Sequence, residues 1–136
     1  MNADLEMVLR LLLATFLGAV VGLQRQLSGK EAGLRTNMLI CLGSSLFTVL
    51  SIYAFPGSDP ARIAAGVAAG IGFIGAGVIL YRTGGEVSGL TTAATIWAVA
   101  GVGIASGAGL YYIAPAATVL VLIILMLPHV KKRAGK

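Results

Sequence analysis

Three glycines, Gly70, Gly72 and Gly75, spell G-x-G-x-x-G. In a soluble α/β protein that spacing turns a strand sharply into a helix and lets backbone N–H groups approach a pyrophosphate. The chemistry needs a strand before the glycines, a helix after them and an acid about 20 residues further on. Here the glycines interrupt nothing: IAAGVAAGIGFIGAGVIL is one apolar run, and residues 90 to 100 contain no acid. A dinucleotide cradle is therefore rejected. The remaining inventory is short. The acids are Asp4, Glu6, Glu31, Asp59 and Glu86, and none falls near the middle of an apolar run. Mg²⁺ prefers hard oxygen ligands, usually carboxylates plus retained water. Asp59 is a weak metal candidate at most, so no metal site and no cofactor is expected. His129 stands alone beside a lysine run, and no Ser-His, Asp-Asp or His-cluster pattern supports an enzyme. Cys41 lies within an apolar run and reads as a small buried hydrophobe. Arg10 is an ionisable residue inside an apolar run, which marks it as a functional candidate. It sits close enough to the run's end to snorkel outward, and Glu6 is placed to pair with it at i, i+4.

The elements that must position these residues follow from composition. Hydrophobic residues make up 57% of the 136-residue chain and charged residues 11%, with a mean hydropathy of +0.93. That balance belongs to a membrane protein. The net charge of +5 does not point to nucleic acid, because the basic residues stand singly or at the ends of apolar runs. A bilayer core needs about 20 mostly apolar residues per helix, with roughly 17 to 25 tolerated. Five runs are assigned as spans: 5–23, 37–55, 63–80, 91–106 and 110–127. Turn and charge signals separate them, and no long polar linker suggests a second domain. One all-α membrane domain covering 1–136 is expected, with the first run a retained span and not a signal peptide.

Basic residues are retained in the cytoplasm. Arg25, Lys30 and Arg35 lie in the first loop, Arg82 in the third, and Lys131, Lys132, Arg133 and Lys136 in the tail, whereas the opposite side holds Arg62. The count predicts an amino terminus outside, a cytoplasmic tail and an odd number of spans. Tyr53, Phe55, Tyr111 and Tyr112 fall at the outer boundary and Tyr81 at the inner one, as amphipathic rings prefer. Trp97 lies roughly 9 Å into the fourth span, where packing is the expected role.

On a helix at about 100° per residue, Ile63, Val67, Ile71, Ile74 and Val78 form one narrow stripe. Gly66, Gly70, Gly72, Gly75 and Gly77, with Ala65, Ala69 and Ala76, fill the remainder. The branched stripe has the bulk for lipid contact, and the small residues let neighbouring backbones approach. The third span is thus expected to be the central helix of the bundle. Asp59 is a fitting cap for it and Pro60 a fitting first residue.

The chain also carries a repeat. GAVVGLQRQLSGKEAGLRT from Gly18 aligns with GAGVILYRTGGEVSGLTT from Gly75, matching Arg25 with Arg82 and Gly-Leu-x-Thr at 33–36 with the same motif at 89–92. This predicts a parallel repeat in which spans one and two match three and four. Thr36, Thr91 and Thr92 are then placed to cap two helix starts that share one region with Arg25, Arg35 and Arg82. Capping threonines and lipid-anchoring arginines account for these residues, and an anion-receptive pocket is the alternative.

GAVVGLQRQ, AGLRTN, DPARIAAGVAAGIGFIGAGVI and GLTTAATIWAVAGVGI together resemble the membrane domain of the MgtC/SapB family, over roughly residues 13 to 113. The resemblance implies a multi-pass protein of the bacterial inner membrane, tied to growth in scarce magnesium and, in some pathogens, to survival inside phagocytes. It implies a regulator of other membrane complexes, including the F-type ATP synthase; transport of Mg²⁺ or another ion is the alternative. Gln24 departs from the Glu that the family commonly has before the arginine. Many relatives continue into a soluble cytoplasmic domain, and this sequence reads as the membrane domain without it. The functional candidates are Arg25, Arg35, Thr36, Asp59, Arg62, Arg82, Thr91, Thr92 and Trp97. The expected partners are lipid, other membrane proteins and a second copy of the chain as a homodimer.

Overall fold

The computed structural model describes residues 2–80 and 89–128. Those residues form five α-helices and no strand: α1 (Ala3–Leu27), α2 (Leu34–Tyr53), α3 (Ala61–Leu80), α4 (Leu90–Gly107) and α5 (Ile113–Leu125). The first four are long and apolar enough to cross a membrane. With 13 residues, α5 is about 20 Å long. It is shorter than the expected 110–127 run, because Gly109 takes φ +81°, residues 111–112 turn before the helix starts, and Pro128 follows its end.

Local chemistry sets the boundaries. Asn2 caps α1 by accepting from the Asp4 N–H at 3.3 Å. Asp4 and Glu6 in its first turn and Arg25 in its last suit the helix dipole. Gly29, with φ +69°, ends the helix. Asp59 caps α3 as expected, its Oδ1 accepting from the Ala61 N–H at 3.0 Å. Both Gly-Leu-x-Thr motifs start helices, but glycine is the N-cap each time, Gly33 for α2 and Gly89 for α4, so neither supplies a capping side chain. The expectation that Thr36, Thr91 and Thr92 cap is therefore corrected. They lie at the third, second and third positions inside their helices. The Gln26 side chain reaches from α1 instead and accepts from the Leu34 N–H at 3.2 Å.

The centre of the bundle is α4, which touches all four other helices, with α2 held between it and α1. The close approaches come from two glycine pairs at i, i+4. A Cβ on Gly18 would stand 2.6 Å from the Asn37 carbonyl oxygen, and one on Gly22 2.8 Å from the Leu34 Cα. On the other side of α2, a Cβ on Gly103 would lie 2.4 Å from the Cys41 oxygen and one on Gly107 2.5 Å from the Ser45 oxygen. Membrane helices gain dispersion contact through such pairs, because removing Cβ brings the backbones together. Cys41 is fully buried between them. Three buried hydroxyls of this core are held locally: Thr48, Ser106 and Thr118 each donate to the carbonyl four residues earlier.

The expected place of α3 is overturned. It lies at the edge, packed mainly on α4, and most of its branched stripe faces inward: Ile71 is buried and Val67 and Val78 are packed against the core, while Ile74 is 45% exposed. Gly66, Gly70, Gly72 and Gly77 meet nothing within 4 Å, and only Gly75 packs, with its Cβ position 3.4 Å from that of Ala93. The cause is that α3 meets its neighbours along a single line, where branched side chains fill the wedge. Trp97 is likewise not a packing residue; it is 62% exposed.

The two hairpins repeat one contact. Gly18 approaches Asn37 in the first, and its aligned counterpart Gly75 approaches Ala93, the counterpart of Asn37, in the second. The aligned positions therefore meet in both hairpins, more loosely in the second.

Candidate functional site

Two arginines of α1 enter the bundle at opposite ends. Arg10, 7% exposed, does not snorkel outward. Its Nη2 donates to Glu6 Oε1 at 2.6 Å, Nη1 to the Gly107 carbonyl at 2.9 Å and Nε to the Tyr111 hydroxyl at 3.4 Å. The Tyr111 hydroxyl donates to the same Glu6 oxygen at 3.3 Å, and the guanidinium lies 5.4 Å from the centroid of the Tyr53 ring. Attraction to the ring face adds to the ion pair. This cluster ties the start of α1 to the ends of α2 and α4 and to the turn before α5. The i, i+4 spacing revealed Glu6; Tyr53, Gly107 and Tyr111 are 43 or more positions away and needed the fold.

At the other end Arg25 is 4% exposed. Its Nη2 donates to Thr92 Oγ1 at 2.6 Å, joining the last turn of α1 to the first turn of α4. Its Nε is buried without a hydrogen-bond partner. Among the described residues no carboxylate pairs with it. Nearby in sequence, Asn37 is fully buried; its Nδ2 donates to the carbonyls of Ala32 and Gly33 at 2.7 and 2.9 Å, fixing the α1–α2 turn in which Ala32 adopts φ +53°. Asn37 was not singled out in the sequence, although a polar residue four positions after the N-cap glycine Gly33 was its signal.

Of the sequence candidates, the structure brings Arg25 and Thr92 together. Arg35, Thr36 and Thr91 are exposed, and so are Asp59 and Arg62 beside each other at the start of α3. Arg82 and Tyr81 lie outside the described residues, as do His129 and the basic tail. No group of three or more metal-ligating side chains occurs among the described residues. Between α2 and α3 runs an apolar groove of about 730 Å³, lined by Leu39, Gly43, Phe47, Ile63, Gly66 and Gly70 among others.

A helical bundle with four apolar helices long enough to cross a bilayer, charged only near their ends, is a multi-pass membrane protein. Residues 11–133 match the MgtC family, and the chain belongs to that family. It is 46% identical over 132 residues to "Putative magnesium transporter YhiD" of Escherichia coli strain K12, covering 91% of this chain and 61% of that protein. Protein SapB of Bacillus subtilis strain 168 is 43% identical over 141 residues, 97% of this chain and 61% of its own length. Protein MgtC of Salmonella typhimurium strain 14028s is 49% identical over 115 residues, 85% of this chain and 49% of its own. The chain thus spans about half to three-fifths of these relatives. Family and helices together place it in the inner membrane. No solved structure matches it.

Proposed function

We propose that the chain is a regulatory membrane protein that acts by contacting other membrane complexes during adaptation to scarce magnesium. One observation carries this reading: Gly66, Gly70, Gly72 and Gly77 of α3 meet nothing within 4 Å, and Gly66 and Gly70 line the open groove between α2 and α3. Small residues are what membrane helices use to pack against each other, and here that surface is unused by its own bundle. A homodimer and a partner such as the F-type ATP synthase compete for the same face. In this reading the Arg25 end lies in the cytoplasm and the Arg10 end outside.

The name of the Escherichia coli relative favours a second reading, ion transport. Photo-crosslinking from position 70 in native membranes, together with Mg²⁺ flux in liposomes, separates the two. The regulatory reading expects a discrete crosslinked complex, lost on Gly66→Leu, and no flux. Flux that disappears on Asp59→Ala or Arg35→Ala would overturn it.

A further inference from the structure

We infer that the Arg25 end of the bundle is a binding site for a phosphate-bearing anion, seated between the Arg25 guanidinium and the N-terminus of α4. Two independent observations meet there. The first is the guanidinium itself: 4% exposed, with its Nε–H unpartnered and, among the described residues, bonded to the neutral Thr92 hydroxyl and paired with no carboxylate. A buried cation without a counter-charge is costly, and the deficit is removed by an anion. The second is the helix start at which the guanidinium points. The N-cap of α4 is Gly89, which has no side chain to offer, and the first backbone bond of the helix is the Ala93 N–H to the Gly89 carbonyl. The N–H groups of Leu90, Thr91 and Thr92 come before that bond and lack helical acceptors. The equivalent start of α2 is different, since Gln26 accepts from the Leu34 N–H.

Donors at a helix N-terminus and a planar guanidinium suit a tetrahedral oxyanion, with the helix dipole adding to the attraction. Phosphate fits for its charge and its several acceptor oxygens. Thr92 Oγ1 aims the guanidinium, so the hydroxyl is a positioning group and Arg25 the binding one. The phosphate comes either from a phospholipid headgroup or from solution, because the last turn of α1 and the first of α4 lie at the end of the bundle.

The test uses the whole chain in detergent, stripped of lipid and phosphate. Inorganic phosphate raises the thermal midpoint saturably, while chloride at equal ionic strength does not. Arg25→Gln weakens the dissociation constant at least tenfold, Arg25→Lys less, and Arg35→Gln, which alters an exposed cation at the same end, leaves it unchanged. Broadening of the phosphorus resonance of inorganic phosphate by the unaltered protein gives the same answer if Arg25→Gln does not fold. Native mass spectrometry of gently purified protein identifies the source: one phospholipid retained per chain, and lost in Arg25→Gln, assigns the headgroup, whereas phosphate binding without retained lipid assigns the free ion. The inference is overturned if the unaltered chain neither responds to phosphate nor retains lipid, or if Arg25→Gln responds equally. It is also overturned if the response appears only in Glu86→Gln, which would make a carboxylate of the chain itself the occupant.

Discussion

Arg10 and Arg25 lie on one helix, 15 residues and about 22 Å apart, and both are withdrawn from solvent. Arg10 is surrounded by a carboxylate, a backbone carbonyl, a phenol and an aromatic face. Among the described residues Arg25 has one neutral hydroxyl. The same side chain is therefore a fastening at one end and an incomplete site at the other. Burial alone does not distinguish these roles; the list of partners does. Closing several elements around a satisfied ion pair fixes their relative positions, whereas a charge left short of partners retains the capacity to bind something further.

The largest effect that follows is at the fastening. Arg10→Met should lower stability by about 1.5 to 3 kcal/mol, since it removes the side-chain donor to the Gly107 carbonyl and leaves the part-exposed Glu6 with the long Tyr111 bond. Unfolding in detergent followed by circular dichroism measures it. A loss under about 1 kcal/mol would mean that the cluster does not hold the helix ends together.

Gly109→Ala comes next. The residue has φ +81°, and its added Cβ would lie 2.9 Å from Arg10 Nη2. The left-handed backbone costs about 1 to 2 kcal/mol for a residue with a Cβ. The guanidinium is the mobile end of a side chain and can yield, so the backbone sets the magnitude. A double-mutant cycle with Arg10→Met reads the coupling between the two, which should be small because the backbone and not the guanidinium sets the cost. Tyr111→Phe is smaller still, about 0.6 kcal/mol, the usual worth of a side-chain hydrogen bond between membrane helices. Its bonds to Arg10 and Glu6 are long, 3.4 and 3.3 Å. A thermal midpoint that falls as far as that of Arg10→Met would show the phenol, and not the ion pair, to be the centre of the cluster.

How far the sequence reaches differs between the two ends and between faces. Helix positions were legible because apolar runs and their breaks are local, and so were the Asp59 cap and the Glu6–Arg10 pair, which span two and four residues. The partnership of Arg25 with Thr92 spans 67 residues and needs the fold, although the repeat had placed both at one end. The inward face of α3 was read the wrong way round. In a membrane, lipid and protein core are equally apolar, so hydrophobicity does not say which side of a helix is buried. Spacing carried the missing information: Gly18 with Gly22 and Gly103 with Gly107 have the same four-residue interval as Gly66 with Gly70, and only the first two pairs are covered by α2. The repeat also predicts an Arg82–Thr36 counterpart to Arg25–Thr92; Thr36 is exposed, and Arg82 lies outside the described residues.

The smallest change, and the one that most sharpens the contrast, is Arg25→Met. A similar-sized apolar side chain fills the same space and removes a buried charge that, among the described residues, has a single neutral partner. Replacing poorly compensated buried charge by a packed apolar group is often neutral or stabilising. In detergent free of lipid and phosphate the expected outcome lies between no change and a gain of about 1 kcal/mol. Thr92 Oγ1 loses the one bond it accepts from Arg25, so little offsets that gain. With phosphate or native lipid restored, the order should reverse, because only the arginine form has a ligand to bind and binding stabilises the state that binds. A loss in stripped detergent as large as that of Arg10→Met would collapse the distinction, making both arginines fastenings. A reversal on restoring phosphate would keep them distinct, one charge answered within the chain and one answered from outside it.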